Sequence, residues 1–316
     1  MHETDYDVVV VGGGAAGLSG ALILGRARRS VLVLDAGDPR NAPAAGVHGL
    51  LGRDGIAPAA LLDAARADLA PYGVRVERAR ATAAGRDGEA LAVTLEDGRR
   101  IRARRLLVAT GLRDELPDLP GLAERWGRDV LHCPYCHGWE VRDQPLAVLG
   151  SAPWSARKAL LVRQWTDDLT YLVHTAPDPT DEEAEQLAAR GVRVVAGPVA
   201  AIEVADDRLS GVLLADGNVV PLRALVVAPR MVARAGLLDG LGLRPVADPH
   251  GIGERIEADP SGRTAAAGVW VAGNVHDPMA QVVSAADQGV RAAAAINQDL
   301  VDEDVRRALA AGTVAA

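Results

Sequence analysis

The stretch "DVVVVGGGAAGLSGALILGRARRSVLVLDAG", residues 7–37, constrains this chain more than any other. Val8 to Val11 are a β-branched run of the kind that forms a buried parallel strand. Gly12, Gly14 and Gly17 then space out G-x-G-x-x-G. The pattern predicts a helix over Ala15–Arg26 and a second strand over Val31–Leu34, ending in Asp35. In such a unit Gly12 permits the tight turn, Gly14 lets a pyrophosphate approach the backbone, and Gly17 lets helix and strand pack closely. The helix N-terminus attracts the phosphates, and Asp35 can accept hydrogen bonds from ribose hydroxyls. A dinucleotide cradle is therefore expected, without a choice between FAD and NAD.

The rest of the composition narrows the class. The 316 residues allow about two domains. Hydrophobic residues make up 49%, but there is no Phe, so Ala, Val and Leu must build the core. The net charge is −8 and no basic run stands out, which argues against nucleic acid as a partner. No stretch of 18 uninterrupted apolar residues predicts a membrane span. "MHETDYDVVVV" lacks the basic segment and cleavage pattern of a signal peptide, and two cysteines are no secreted disulfide framework. A cytoplasmic enzyme is the expectation.

Both cysteines lie in "HCPYCHGWE", residues 132–140. C-x-x-C occurs in redox disulfides, in zinc sites and as inert thiols, and C-x-x-C-H also marks haem attachment. A structural zinc site needs four ligands, and there is no second C-x-x-C, so no metal is expected. His137, directly after Cys136, titrates near neutral pH and suits acid–base work on thiols.

The N-terminal fingerprint, "LLVATG" at 106–111 and "GVWVAGNVHDPMAQVVSAADQGVRAAAAI" from Gly268 together resemble the low-molecular-weight thioredoxin reductase family of flavoproteins. The resemblance spans essentially the whole chain. It implies an α/β fold of two Rossmann-like three-layer domains. An FAD domain, 1–115 and 244–316, is split by an inserted, degenerate NAD(P)H-type domain, 116–243, that carries the C-x-x-C. The prolines of "DELPDLPG", 114–121, mark the first boundary, and "GLGLRPVADPHG" marks the return. FAD would be held by Gly12, Gly14, Ala15, Ala16, Gly17 and Asp35, by Ala109, Thr110 and Gly111, and by Gly273, Asn274 and Gln281. The family usually has Gly-Asp where this chain has Gly273-Asn274, but Asn can still hydrogen-bond a ribityl hydroxyl. A helix from about Met279 would point its positive end at the flavin. The resemblance also implies a homodimer.

By the same resemblance Cys133 and Cys136 form a redox disulfide at the start of a helix. Cys136 is nearest the flavin and Cys133 exchanges with substrate. Ordinary thioredoxin reductases usually have Asp where this chain has His137. "CHG", with residues 37–55, instead resembles the dithiol oxidases that close disulfides in gliotoxin and holomycin. That branch uses a His–Asp pair, which makes Asp277 the expected partner of His137; capping the next helix is its plainer role. His48, His132 and His276 are weaker candidates.

The insert should carry a second glycine-rich cradle, and "PLAVLGSAPWSARK" is a damaged one. Ala152 replaces the second glycine, Pro153 removes an N–H donor, and Trp154 adds bulk. The basic cluster that grips the 2′-phosphate of NADPH is replaced by "VHTAPDPTDEEAE". The expected activity is FAD-dependent oxidation of a small natural-product dithiol, with O₂ as final acceptor and hydrogen peroxide as product. A thioredoxin-like disulfide reductase fed by NADPH or ferredoxin is the second enzymatic reading. A redox sensor or scaffold is the third, and the intact C-x-x-C-H argues against it.

Overall fold

The structure, a computed structural model, describes residues 6–314. The chain divides into two compact units. The first comprises the residues up to Ala42, Pro58–Arg113 and everything from Met231 onward; the second comprises Pro43–Ala57 and Asp114–Arg230.

The first unit is built on one seven-stranded sheet. Strands Arg75–Arg78, Val31–Asp35, Tyr6–Val11 and Arg100–Val108 lie side by side and parallel. Arg100–Val108 is a fork. Its first half pairs antiparallel with Ala90–Leu95, which continues the meander to Ala81–Asp87. Its last three residues pair parallel with Val269–Val271 from the far end of the sequence. Alternation along the central strand separates two cores. Val8 and Val10 face the helices Ala15–Arg26 and Val282–Val314, while Val9 and Val11 face the meander and the 3₁₀ segment Gly236–Leu241. The two helices touch through small residues: a Cβ on Gly289 would lie 2.0 Å from the Ala16 carbonyl oxygen.

The second unit has a five-stranded parallel sheet in the order Arg193–Val195, Leu169–Leu172, Leu146–Leu149, Ala224–Val226, Val130–Leu131. Helices Ser155–Val162 and Asp181–Ala189 cover one face. An antiparallel sheet of Val199–Ala205, Arg208–Leu214 and Val219–Pro221 covers the other. Each unit is thus a three-layer α/β sandwich, as expected.

The boundaries differ from the expected ones in two places. The return to the first unit falls at Met231 rather than residue 244, because Ala233, Leu237, Leu238 and Leu243 pack into the core beneath the meander. The segment 43–57, expected in the FAD domain, packs with the second unit. No helix among the described residues is long and apolar enough to cross a membrane.

Candidate active site

The first cradle forms as the spacing predicts, with strand Tyr6–Val11, helix Ala15–Arg26 and strand Val31–Asp35. Gly12 has φ +112°, and a Cβ there would lie 2.2 Å from the Ala109 carbonyl oxygen. Gly17 backs onto Gly12, where a Cβ would meet a carbonyl oxygen at 1.9 Å. At Gly14, the N-cap of the helix, a Cβ would meet no protein atom within 4 Å, and no side chain caps the helix there. The turn is therefore crowded behind and open in front. Gly13 was not singled out in the sequence. A Cβ on it would fall 2.4 Å from the Asp35 carboxyl carbon, so the middle glycine of "GGG" makes room for that acid. Asp35 accepts from the Gly37 amide at 3.0 Å and pairs with Arg66 at 3.0 Å. Its remaining lone pairs can take ribose hydroxyls.

Ala109, Thr110 and Gly111 lie against this turn. The Thr110 hydroxyl donates to the Arg234 carbonyl at 2.6 Å, and the Arg234 amide donates to the Gly111 carbonyl at 3.0 Å. Gly273, at φ +74°, sits against Ala16, where an added Cβ would come within 3.0 Å of the Ala16 Cβ. The structure thus gathers the three sequence-distant segments expected to hold FAD in one unit. The Asn274 side-chain amide donates to the carbonyls of Asp277, Pro278 and Ala280, which leaves its Oδ1 as the acceptor for a hydroxyl. The helix begins at Val282 rather than Met279, because Asp277 to Ala280 are used in a turn closed by Ala280 N–H to Asp277 O. Gln281 therefore stands exposed just before the first helical turn.

Asp277 is held locally. Its Oδ1 accepts from the Met279 amide at 3.0 Å and its Oδ2 from Gln288 Nε2 at 2.8 Å. Gln288 Oε1 in turn accepts from the Gly273 amide at 2.8 Å. Gln288, which sequence reasoning missed, ties the acid to the glycine turn. His276 donates from Nδ1 to the Ile256 carbonyl at 2.9 Å, a structural role.

In the second unit Cys133 and Cys136 form a disulfide, with Cα atoms 5.3 Å apart. Cys133 is the N-cap of the short helix Pro134–His137, and its sulfur accepts from the Cys136 amide at 3.2 Å. Gly138 is packed tightly behind this turn, since a Cβ would lie 2.5 Å from the Pro134 carbonyl oxygen. Tyr135, between the cysteines, sets its ring edge against Trp165 at 5.5 Å yet remains largely exposed, as does Trp139. His137 is mostly withdrawn from solvent. Burial pushes its pKa below the ordinary histidine value, Glu140 pulls it up, and His48 pushes it down. The imidazole is therefore mainly neutral at pH 7 and able to accept a proton. His132 faces Lys158 Nζ at 3.4 Å. Asp277 and His137 lie in different units.

The second cradle keeps the strand Leu146–Leu149 and the helix Ser155–Val162. Its loop amides are already used: those of Ser151 and Ala152 both donate to the Ser155 hydroxyl, at 3.2 and 3.1 Å. Ser155 itself is fully buried. Among the acids that follow, Glu183 completes a capping box with Thr180, so it serves the helix Asp181–Ala189. Lys158, the only lysine in the chain, donates to the Val227 carbonyl at 2.9 Å, and burial pushes its pKa down to about 7. No group of three His, Cys, Asp or Glu among the described residues is placed to hold a metal ion.

Residues 6–289 match the sequence pattern of the pyridine nucleotide-disulphide oxidoreductase family. The chain belongs to this family. It is 31% identical to thioredoxin reductase sirT of Leptosphaeria maculans, over 95% of this chain and 96% of that one. It is 31% identical to thioredoxin reductase tcpT of Claviceps purpurea, over 85% and 86%. The solved structure of HlmI superposes with a TM-score of 0.93 at 50% identity, covering 100% of this chain and 99% of that one. As a thioredoxin reductase-like flavoprotein of this family, the chain binds FAD, and the open turn at Gly14 with Asp35 beyond it fits that cofactor.

Proposed function

We propose that this flavoprotein is a dithiol oxidase that closes a disulfide within a small natural-product dithiol. The observation that carries this reading is the Cys133–Cys136 disulfide followed directly by His137, half-buried and with its pKa held below the ordinary histidine value by burial. His137 takes the proton of one substrate thiol on its imidazole. The thiolate attacks Cys133 Sγ, the Cys133–Cys136 bond breaks, and Cys136 leaves as a thiolate. The second substrate thiol loses its proton and attacks the substrate sulfur of the mixed disulfide, releasing Cys133. The substrate has then lost two electrons, which the cysteine pair has gained, and two protons, one held by His137 and the other taken up by the departing Cys133 sulfur. Gly12, Gly14, Gly17, Asp35, Gly273 and Asn274 would hold FAD, which when bound would supply a two-electron acceptor for the cysteine pair, with O₂ as the final acceptor and hydrogen peroxide as its product. The Ser155 hydroxyl on the second cradle's amides supports a reaction without NADPH.

Anaerobic mixing tests this. A small dithiol should bleach the flavin, NADPH should not, and air should restore the colour with one peroxide per flavin. Cys133→Ser and Cys136→Ser should abolish bleaching by dithiol. His137→Ala should slow it by roughly 10²–10⁴-fold. Asp277→Asn, at the acid assigned to support His137, should slow it less. The names of sirT and tcpT favour a second reading, a disulfide reductase. Rapid bleaching by NADPH would establish that reading and sink the oxidase.

A further inference from the structure

The chain has five Trp, four Tyr and no Phe. Three of these scarce aromatics, Tyr135, Trp139 and Trp165, stand around the disulfide turn. Tyr135 and Trp139 are each 65% exposed. They lie four residues apart on backbone that stays helical past His137: Gly138 has φ −65° and ψ −32°, and its N–H donates to the Pro134 carbonyl at 2.7 Å. That spacing sets the two side chains on one side of the turn. Both rings are held. Tyr135 and Trp165 meet edge to face, with centroids 5.5 Å apart. Gly138 lets Trp165 approach the turn, since a Cβ there would lie 2.9 Å from the indole. The Trp165 carbonyl also accepts from the Asp143 amide at 2.9 Å, which ties back the end of the turn. The Arg142 guanidinium lies 3.9 Å from the centre of the Trp139 ring, and its Nη1 donates to the Trp139 carbonyl at 2.6 Å. With that face covered and 65% of the residue still exposed, the opposite face of the indole is bare.

We infer that Tyr135 and Trp139 form a substrate platform beside the redox disulfide, and that the dithiol this site takes is carried on a flat, unsaturated ring. Any molecule that exchanges with the Cys133–Cys136 disulfide meets the turn that bears these rings. Aromatic faces left in water gain most from a ligand that covers them, and a flat ring does so by offset stacking or edge contact. Rings already fixed by Trp165 and Arg142 lose little freedom on binding. Two aromatic side chains offer roughly 300–500 Å². That suffices for a small molecule and falls short of the roughly 800 Å² that each partner buries in a stable protein complex. The inference rests on the oxidase reading for its turnover, but the platform is measurable as binding alone.

The test compares two dithiols that close to the same size of ring, 1,2-benzenedimethanethiol and dithiothreitol, in the FAD-loaded protein. Second-order rate constants for anaerobic flavin bleaching give a turnover ratio. Equilibrium titration with the two cyclic disulfide products gives a binding ratio. Both ratios should favour the benzene-bearing compound in wild type. Both should fall by about tenfold in Trp139→Leu, which keeps an apolar side chain and removes the flat face. Tyr135→Leu should lower them less, and Trp139→Tyr should restore most of the wild-type ratio. Comparing ratios across variants cancels the intrinsic reactivity of the thiols. Ratios unmoved in both leucine variants would overturn the inference. So would a loss in Trp139→Leu confined to reduced thioredoxin offered as the dithiol, which would assign the rings to a protein partner. If Tyr135→Leu does not fold, Trp139→Leu, at an exposed position, decides alone. A binding ratio that falls in Trp139→Leu while neither dithiol bleaches the flavin leaves the platform standing and sinks the oxidase reading.

Discussion

The two glycine-rich turns of this chain share a strand, a turn and a helix, yet they offer a ligand different things. In the first, Gly12, Gly13 and Gly17 crowd against protein atoms behind, while nothing stands in front of Gly14 and no side chain caps the helix. In the second, Gly150 is equally crowded, with a Cβ position 2.3 Å from the Val173 carbonyl oxygen, so the fold still needs it. The amides in front, however, belong to the Ser155 hydroxyl. The strand, turn and helix of a dinucleotide cradle therefore persist while two of the turn's amides are taken by a side chain. What differs between the two turns is which group satisfies the N–H donors of the loop.

The largest effect that tests this contrast is expected from Gly12→Ala. A methyl group there meets the Ala109 carbonyl at 2.2 Å in a left-handed backbone, so the loss should reach roughly 3 kcal/mol or more. Purified protein should be colourless or absent, which flavin absorbance reads directly. Next comes Lys158, buried on the helix that follows the second turn. Its folded pKa, about 7, lies below the ordinary lysine value. From pH 7 toward 10 the unfolded chain binds a proton that the native chain does not, so stability should rise with pH. Denaturant melts should show a contribution of about 1.4 kcal/mol per pH unit, absent in Lys158→Met. Below pH 7 the two proteins should run parallel.

Ser155→Ala removes the buried hydroxyl that accepts from two amides of the second turn and should cost roughly 1–2 kcal/mol. NADPH should still fail to bleach the flavin, because Pro153 and Ala152 remain. Recovery of NADPH reactivity would mean that Ser155 alone closes that site. Gly14→Ala has the smallest effect on the fold. The apoprotein should melt unchanged, while flavin affinity, read by equilibrium dialysis, should fall by about tenfold, or 1.4 kcal/mol. An equal loss of apoprotein stability would show that the turn is not open in front.

Local chemistry made much of this legible. The helix Ala15–Arg26 and the strand Leu146–Leu149 fall where glycine spacing and β-branched runs place them, since both signals act over a few residues. The disulfide joins the two cysteines the chain has, as the resemblance implied. The unread parts depend on partners distant in sequence. Nothing in "AGVHGLLGRDG" says that His48 packs beside Glu140, ninety-two positions on. Gln288 looks like any polar residue on a helix until Gly273 and Asp277 converge on it. Ser155 reads as an ordinary helix-start serine, and only its contact with two amides reveals what it closes. The delayed start of the last helix has a local cause, the Asp277 turn, but Met279 to Ala280 are good helix formers and hide it.

The forked strand Arg100–Val108 has a consequence for synthesis on the ribosome. Its edge at Leu106–Val108 stays unpaired until Val269–Val271 emerges, after the whole inserted unit has been made. The second of the two helices that cover Val8 and Val10 comes later still. The disulfide-bearing unit can therefore complete its sheet while the flavin unit is still an open half-sandwich, and flavin capture becomes an event of the finished chain.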